Sequence, residues 1–84
     1  MNISMYTSEY CPYCRNAEQL LKNKGFDISE KYFVDQDPDL LKKMMELTGK
    51  RMVPQIFINE TYVGGFDELR KADLSGELDN LLNL

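Results

Sequence analysis

The sequence predicts one α/β domain with its elements in the order β-α-β-α-β-β-α. Three observations carry that expectation. Ile3, Met5 and Thr7 alternate with Ser4 and Tyr6, and a helical period begins a few residues later. Asp37-Pro38 opens a second helical period. Two short strand-like runs, 55–59 and 61–64, meet at Asn59-Glu60 in the manner of a hairpin.

Taken in order, the first strand covers 3–7, and Ser8 to Tyr10 form a polar link. From Pro12 onward, Tyr13, Ala17, Leu20 and Leu21 recur at helical spacing. Pro12 suits a first helical turn, where its missing N–H costs nothing, and Gly25 ends the run after Lys22 and Lys24. Residues 26–34 read as a second strand, with Phe26, Ile28, Tyr32 and Val34 on one parity and Glu30 interrupting it. Strand, helix, strand in that order favours a parallel pair with a right-handed crossover. In the second helix Leu40, Leu41, Met44, Met45 and Thr48 form the stripe expected to be buried, and Gly49 stops it. Gly64-Gly65 breaks the chain before a third helix over 66–73. Ser75-Gly76 then precedes an amphipathic tail built on Leu78, Leu81 and Leu82.

Eighty-four residues leave room for one domain, 1–84, with a thin core. Hydrophobic residues at 43% and charged residues at 29% are the mix of a globular chain. A net charge of −4 and a pI near 4.7 argue against a nucleic-acid partner, because no basic field exists to displace counterions. No apolar run is long enough to span a bilayer. Met1 to Thr7 lack the cationic start and apolar stretch of a secretory signal, so the expected location is the cytoplasm.

Histidine is absent, which removes Cys–His and Ser–His nucleophile pairs and every imidazole metal site. The only cysteines, Cys11 and Cys14, form a single C-x-x-C. Cys11 falls just after a strand, at the start of a helix whose first N–H groups lack partners. Those donors and the helix dipole favour a thiolate there. Cys14, one turn along, is expected to be less exposed and to remain a more ordinary thiol, with Arg15 close by. Three rival readings stand beside redox chemistry. A structural disulfide closing so short a loop stabilises by only about 2 kcal/mol. A metal knuckle lacks ligands unless two chains share it, and no metal is expected. A bare C-x-x-C can also be coincidence, but its place in a βαβ unit favours thioredoxin-like redox chemistry.

With these residues the chain resembles dithiol glutaredoxins along essentially its whole length. The resemblance rests on Tyr6-Thr7 leading into Cys11-Pro12-Tyr13-Cys14, on Val53-Pro54-Gln55-Ile56-Phe57-Ile58, and on Gly64-Gly65-Phe66-Asp67-Glu68-Leu69. It implies a thioredoxin-like fold, a four-stranded mixed sheet flanked by helices, with a cis Val53–Pro54 bond. It implies a glutathione-disulfide oxidoreductase that reduces protein–glutathione mixed disulfides and protein disulfides in cell redox homeostasis. Cys11 would be the nucleophile and Cys14 the resolving thiol, at a potential of roughly −200 to −230 mV. Glutathione would be the co-substrate, the protein partners would carry disulfides or glutathionyl groups, and the chain would act as a monomer. Electron donation to one enzyme such as ribonucleotide reductase is a narrower form of the same reading.

The resemblance also distributes the ligand contacts. The backbone of Val53 beside Pro54 would pair with the cysteinyl part of glutathione. Gly65 and the N–H groups at Phe66 would take the γ-glutamyl carboxylate, and Asp67 its ammonium group. Tyr13 would shield the sulfurs and flank the glutathione. Of Lys42, Lys43, Lys50 and Arg51, the expected partner of the glycine carboxylate is Arg51. Ser8 stands where many relatives carry a lysine, Met52 where threonine is usual, and Phe66 where a cysteine is common. The competing class is a carrier of a [2Fe–2S] cluster held by two chains and two glutathiones. Pro12 opposes it, since cluster-holding relatives generally carry a smaller or more flexible residue there.

Overall fold

A computed structural model describes all residues, Met1–Leu84. β1 (Ile3–Thr7), α1 (Pro12–Asn23), β2 (Glu30–Phe33), α2 (Pro38–Thr48), β3 (Gln55–Ile58), β4 (Thr61–Gly64), α3 (Phe66–Ser75) and α4 (Glu77–Leu81) follow one another along the chain. The strands form one mixed sheet in the order β2-β1-β3-β4. β1 pairs with β2 in parallel and with β3 antiparallel, and β3 pairs antiparallel with β4. The predicted mixed α/β sheet is therefore present, with the amphipathic tail folded as α4.

Alternation along the strands builds the main core. Ile3, Met5, Ile56 and Ile58 pack with Ala17 and Leu21 of α1, Leu69 of α3 and Leu78 of α4, all at most 1% exposed. The other face is covered as well. Tyr6, the out-of-phase residue of β1, is buried and stacks near Tyr32 (ring centroids 4.9 Å apart) and Phe57 (6.2 Å). Met44 of α2 is fully buried outside the main cluster.

Two expectations are corrected. The second strand is Glu30–Phe33 rather than 26–34. Phe26 and Ile28 reach the core from an irregular segment, where Phe26 N–H donates to Leu21 O at 3.0 Å and Ser29 N–H to Ile3 O at 2.7 Å. Apolar parity there recorded burial, not ladder pairing. On α2 only Met44 of the predicted stripe is buried; Leu40, Leu41 and Thr48 are half-covered and Met45 is exposed. The ends of the helix are closed by Asp37, which accepts from Asp39 N–H, and by Gly49, whose N–H bonds Met45 O.

A charge clip ties the first helix to the last two. Lys24, the C-cap of α1, reaches Asp73 and Asp79, each at 2.8 Å. Hydrogen bonds that Lys24 donates to Asp73 and then Asp79 raise its pKa above the ordinary 10.5. A lysine whose pKa rises on folding stabilises the native state at every pH below its unfolded value and loses that contribution as pH climbs through the folded one. A Lys24→Met variant should therefore melt below the parent at neutral pH. The gap in Tm should close above pH 10.5. On α3, Leu69→Ala should cost about 2–5 kcal/mol in urea unfolding. Leu74→Ala, at an 80% exposed position of the same helix, should stay within about 0.5 kcal/mol.

Candidate active site

The site lies where three connections leave one end of the sheet. Tyr6 is opposite Gln55 and Ile56 is opposite Gly64. The segment after β1, the segment before β3 and the turn after β4 are thereby neighbours. Cys11 and Cys14 come from the first, Val53 and Pro54 from the second, and Gly65, Phe66 and Asp67 from the third.

Cys11 is the N-cap of α1, in extended conformation, and its Sγ accepts the Cys14 N–H at 3.1 Å. Arg15 N–H donates to Cys11 O at 3.1 Å. α1 has no acidic residue in its first turn, unlike α2 and α3, so no carboxylate competes for this positive helix end. The two cysteines are joined as a disulfide with Cα atoms 5.2 Å apart. They are 6% and 3% exposed, so Cys14 is the more covered, as expected, and both belong to the rim of the core.

Beside the disulfide loop runs a groove of about 360 Å³, lined by Tyr13 of that loop but by neither cysteine. Tyr13, Val53, Pro54, Gly65, Phe66 and Asp67, all predicted site residues, line it together. The ring centroids of Tyr13 and Phe66 are 6.2 Å apart and join the start of α1 to the start of α3. The Val53–Pro54 bond is cis. Neither the N–H nor the C=O of Val53 has a hydrogen-bond partner within the chain, so both are available to a ligand. At the start of α3, Leu69 N–H bonds Gly65 O, while the N–H groups of Phe66 and Asp67 remain free.

Arg51 is exposed and does not line the groove; Lys50, another of the candidate cations, does. Lys42 and Lys43 sit on α2 and also lie away from it. The groove includes residues that sequence reasoning missed. Glu68 reaches back to accept the Gly65 N–H at 2.7 Å, and its spacing three residues after the cap was a readable signal. Tyr62 donates to Gln55 Oε1 at 2.5 Å, and Gln55, 2% exposed, donates to Met52 O at 3.0 Å. That chain fixes the segment carrying Val53. Its parts come from two strands whose register slips between Ile56 and Phe57, so parity alone could not pair them. No group of three or more Cys, Asp or Glu side chains converges anywhere to hold a metal ion.

At Gly64 the turn requires glycine, and at Gly65 it leaves little room for a side chain. Gly64 has φ +120, and a Cβ there would meet Glu68 Cγ at 2.9 Å; one on Gly65 would stand 3.3 Å from Pro54 O. The close approach of these two backbones forms one wall of the groove.

A bonded cysteine pair at a helix start, beside a groove edged by free backbone groups, is an arrangement for thiol–disulfide exchange. The glutaredoxin family model matches residues 3–63. The chain belongs to the glutaredoxin family. It is 46% identical to a glutaredoxin of Neisseria meningitidis, covering 96% of this chain and 95% of that one. It is 41% identical to glutaredoxin 3 of Escherichia coli, over 96% of each. Its fold is similar to the solution structure of glutaredoxin from Brucella melitensis, with a TM-score of 0.84 and 38% identity over 98% of this chain and 88% of that one. It is also similar to a crystal structure of a buckwheat glutaredoxin–glutathione complex, with a TM-score of 0.86 and 26% identity over 96% and 76% of the respective chains. This glutaredoxin is thus a thiol–disulfide oxidoreductase with a thioredoxin-like fold.

Removing the Tyr62 hydroxyl strands a buried carbonyl oxygen on Gln55. Tyr62→Phe should destabilise the protein by about 1–3 kcal/mol in urea unfolding, although the lost atom is at the groove and not in the core.

Proposed function

We propose that this glutaredoxin uses glutathione as co-substrate to reduce protein–glutathione mixed disulfides and protein disulfides, with Cys11 as nucleophile and Cys14 as resolving thiol. The observation that carries the reading is the groove beside the disulfide. Along one side it offers an unpaired backbone N–H and C=O at Val53, and at its end a helix start with free N–H groups and a carboxylate. Those features match a peptide with a carboxylate and an ammonium group at one end. The buckwheat relative is described in complex with glutathione, which supports the same ligand here.

In this reading Cys11, released as a thiolate on reduction, attacks the glutathione sulfur of a mixed disulfide. The Cys11–glutathione bond forms, and the substrate sulfur leaves as a thiolate and takes up a proton. A second glutathione thiolate then attacks the glutathione bound to Cys11 and frees the enzyme, or Cys14 attacks Cys11 and expels glutathione. N–H donors of α1 stabilise charge on Cys11 without histidine. Val53 aligns the cysteinyl unit as an added strand would. Free N–H groups of Phe66 and Asp67 take the γ-glutamyl carboxylate beside Gly65, and the Asp67 side chain takes the ammonium. Pro54 and Tyr13 wall the ligand toward the sulfurs. The glycine carboxylate falls to Lys50, which lines the groove, in place of Arg51. With only two thiols, the working setting is a reducing cytoplasm and the working form a monomer.

The roles are separated by assaying Cys11→Ser and Cys14→Ser on a glutathionylated protein. Cys11→Ser should be inactive, whereas Cys14→Ser should keep deglutathionylation and lose reduction of protein disulfides. Retained activity in Cys11→Ser would reverse the assignment. Lys50→Ala should raise KM for the glutathionylated substrate about fivefold with kcat little changed, the value of one charge-assisted hydrogen bond near 1 kcal/mol. Arg51→Ala should move KM far less, and the opposite ranking would return the carboxylate to Arg51.

A further inference from the structure

Two hollows flank the cysteine segment: Tyr13 lines the ligand groove, and the cysteines themselves line only the second. The ligand groove lies toward β3 and β4; a smaller hollow of about 180 Å³ lies toward β2, and both cysteines line it. Its charged lining is Glu9, Arg15, Glu18 and Lys31. Glu9 accepts from Gln36 Nε2 at 3.4 Å, and Arg15 is exposed and pairs with no acidic side chain. Glu18 differs from both. It follows Cys14 by one helical turn on the same face of α1, and Lys31 on β2 holds it, Nζ to Oε2, at 2.7 Å. Their side chains are 25% and 37% exposed, partly shielded from water. In a chain without histidine, this ion pair is the fixed charge arrangement nearest in sequence to Cys14 on its own helix face.

We propose that the Glu18–Lys31 pair sets how readily Cys14 ionises, and so how fast Cys14 resolves a mixed disulfide on Cys11. The inference rests on the assignment of Cys14 as resolving thiol. In that step the Cys14 proton passes to water in the hollow, and the thiolate attacks Cys11 Sγ. The Cys11–Cys14 bond forms, the Cys11–glutathione bond breaks, and glutathione leaves with the electron pair and takes up a proton. Paired, Glu18 and Lys31 nearly cancel at Cys14. Removing Lys31 leaves a bare carboxylate that opposes the thiolate, and removing Glu18 leaves a bare ammonium that favours it. The two single substitutions therefore act with opposite sign on the thiol, although each breaks the same ion pair. Cys11 lies a further turn away along α1 and feels the change less.

The test follows the alkylation of both thiols against pH by mass spectrometry, with the rate of disulfide closure after mixing reduced protein with glutathione disulfide. Lys31→Met should move the Cys14 midpoint up by about half a pH unit and slow closure at neutral pH about twofold, since the rarer thiolate is also the more nucleophilic one. Glu18→Gln should move it down by a similar amount, the double variant should fall between them, and Lys31→Arg should match the parent. Shifts of the same sign in both single variants, no shift, or an equal shift at Cys11 would overturn the proposal and leave the pair a structural tie between α1 and β2. Opposite shifts at Cys14 that closure does not follow would instead overturn the resolving role of Cys14, with the pair's hold on its ionisation intact.

Discussion

The register of the antiparallel strands is the constraint from which the site follows. β1 runs toward the site, β3 runs away from it, and β4 returns, so the end of β1, the start of β3 and the end of β4 are adjacent whatever the loops contain. Tyr6 opposite Gln55 fixes the cysteine segment against the Val53–Pro54 segment, and Ile56 opposite Gly64 fixes the start of α3 against both. A slip of one residue would turn every side chain of a strand to the other face of the sheet. The cost of such a slip is large because both faces are occupied, one by the Ile3–Leu69 core and the other by Tyr6, Tyr32 and Phe57. A small protein thereby holds three loops in place through a sheet of four short strands.

Short-range features were the most legible in the sequence. The Cys11 N-cap, Pro12 in the first turn, the Asp37 cap and the Asn59 turn each follow from neighbours a few residues apart, and the structure carries all four. Phe26 and Ile28 misled because an apolar alternation cannot distinguish a paired strand from a loop laid on a core. Met45 misled for a related reason: a helical stripe is buried only as far as another element covers it. The groove was legible where a motif marked it, at Val53-Pro54 and Gly65-Phe66-Asp67. It was not legible at Gln55 and Tyr62, which meet across a slipped register, nor in Lys50 rather than Arg51 lining the groove, which depends on how one turn directs two adjacent side chains.

In the roles proposed for them, the two hollows divide the chemistry of the disulfide between its flanks. One flank offers backbone groups and a helix end, while the other sets side-chain charges beside the cysteines. Binding and proton control are then set by different elements, β3, β4 and α3 for the first, and β2 with the outer face of α1 for the second. Changes that tune one need not disturb the other, since the two hollows share no lining residue.

Cys11 has a second occupation besides reactivity. Its sulfur takes the Cys14 N–H and so finishes the first turn of α1, the helix that anchors Ala17 and Leu21 in the core. A side chain with no acceptor at that position would remove the proposed nucleophile and the cap together and confuse lost chemistry with a loosened scaffold. Serine carries an oxygen well suited to capping. The chemically dead protein that best preserves the living one's architecture is therefore the hydroxyl variant, and alanine is a different experiment.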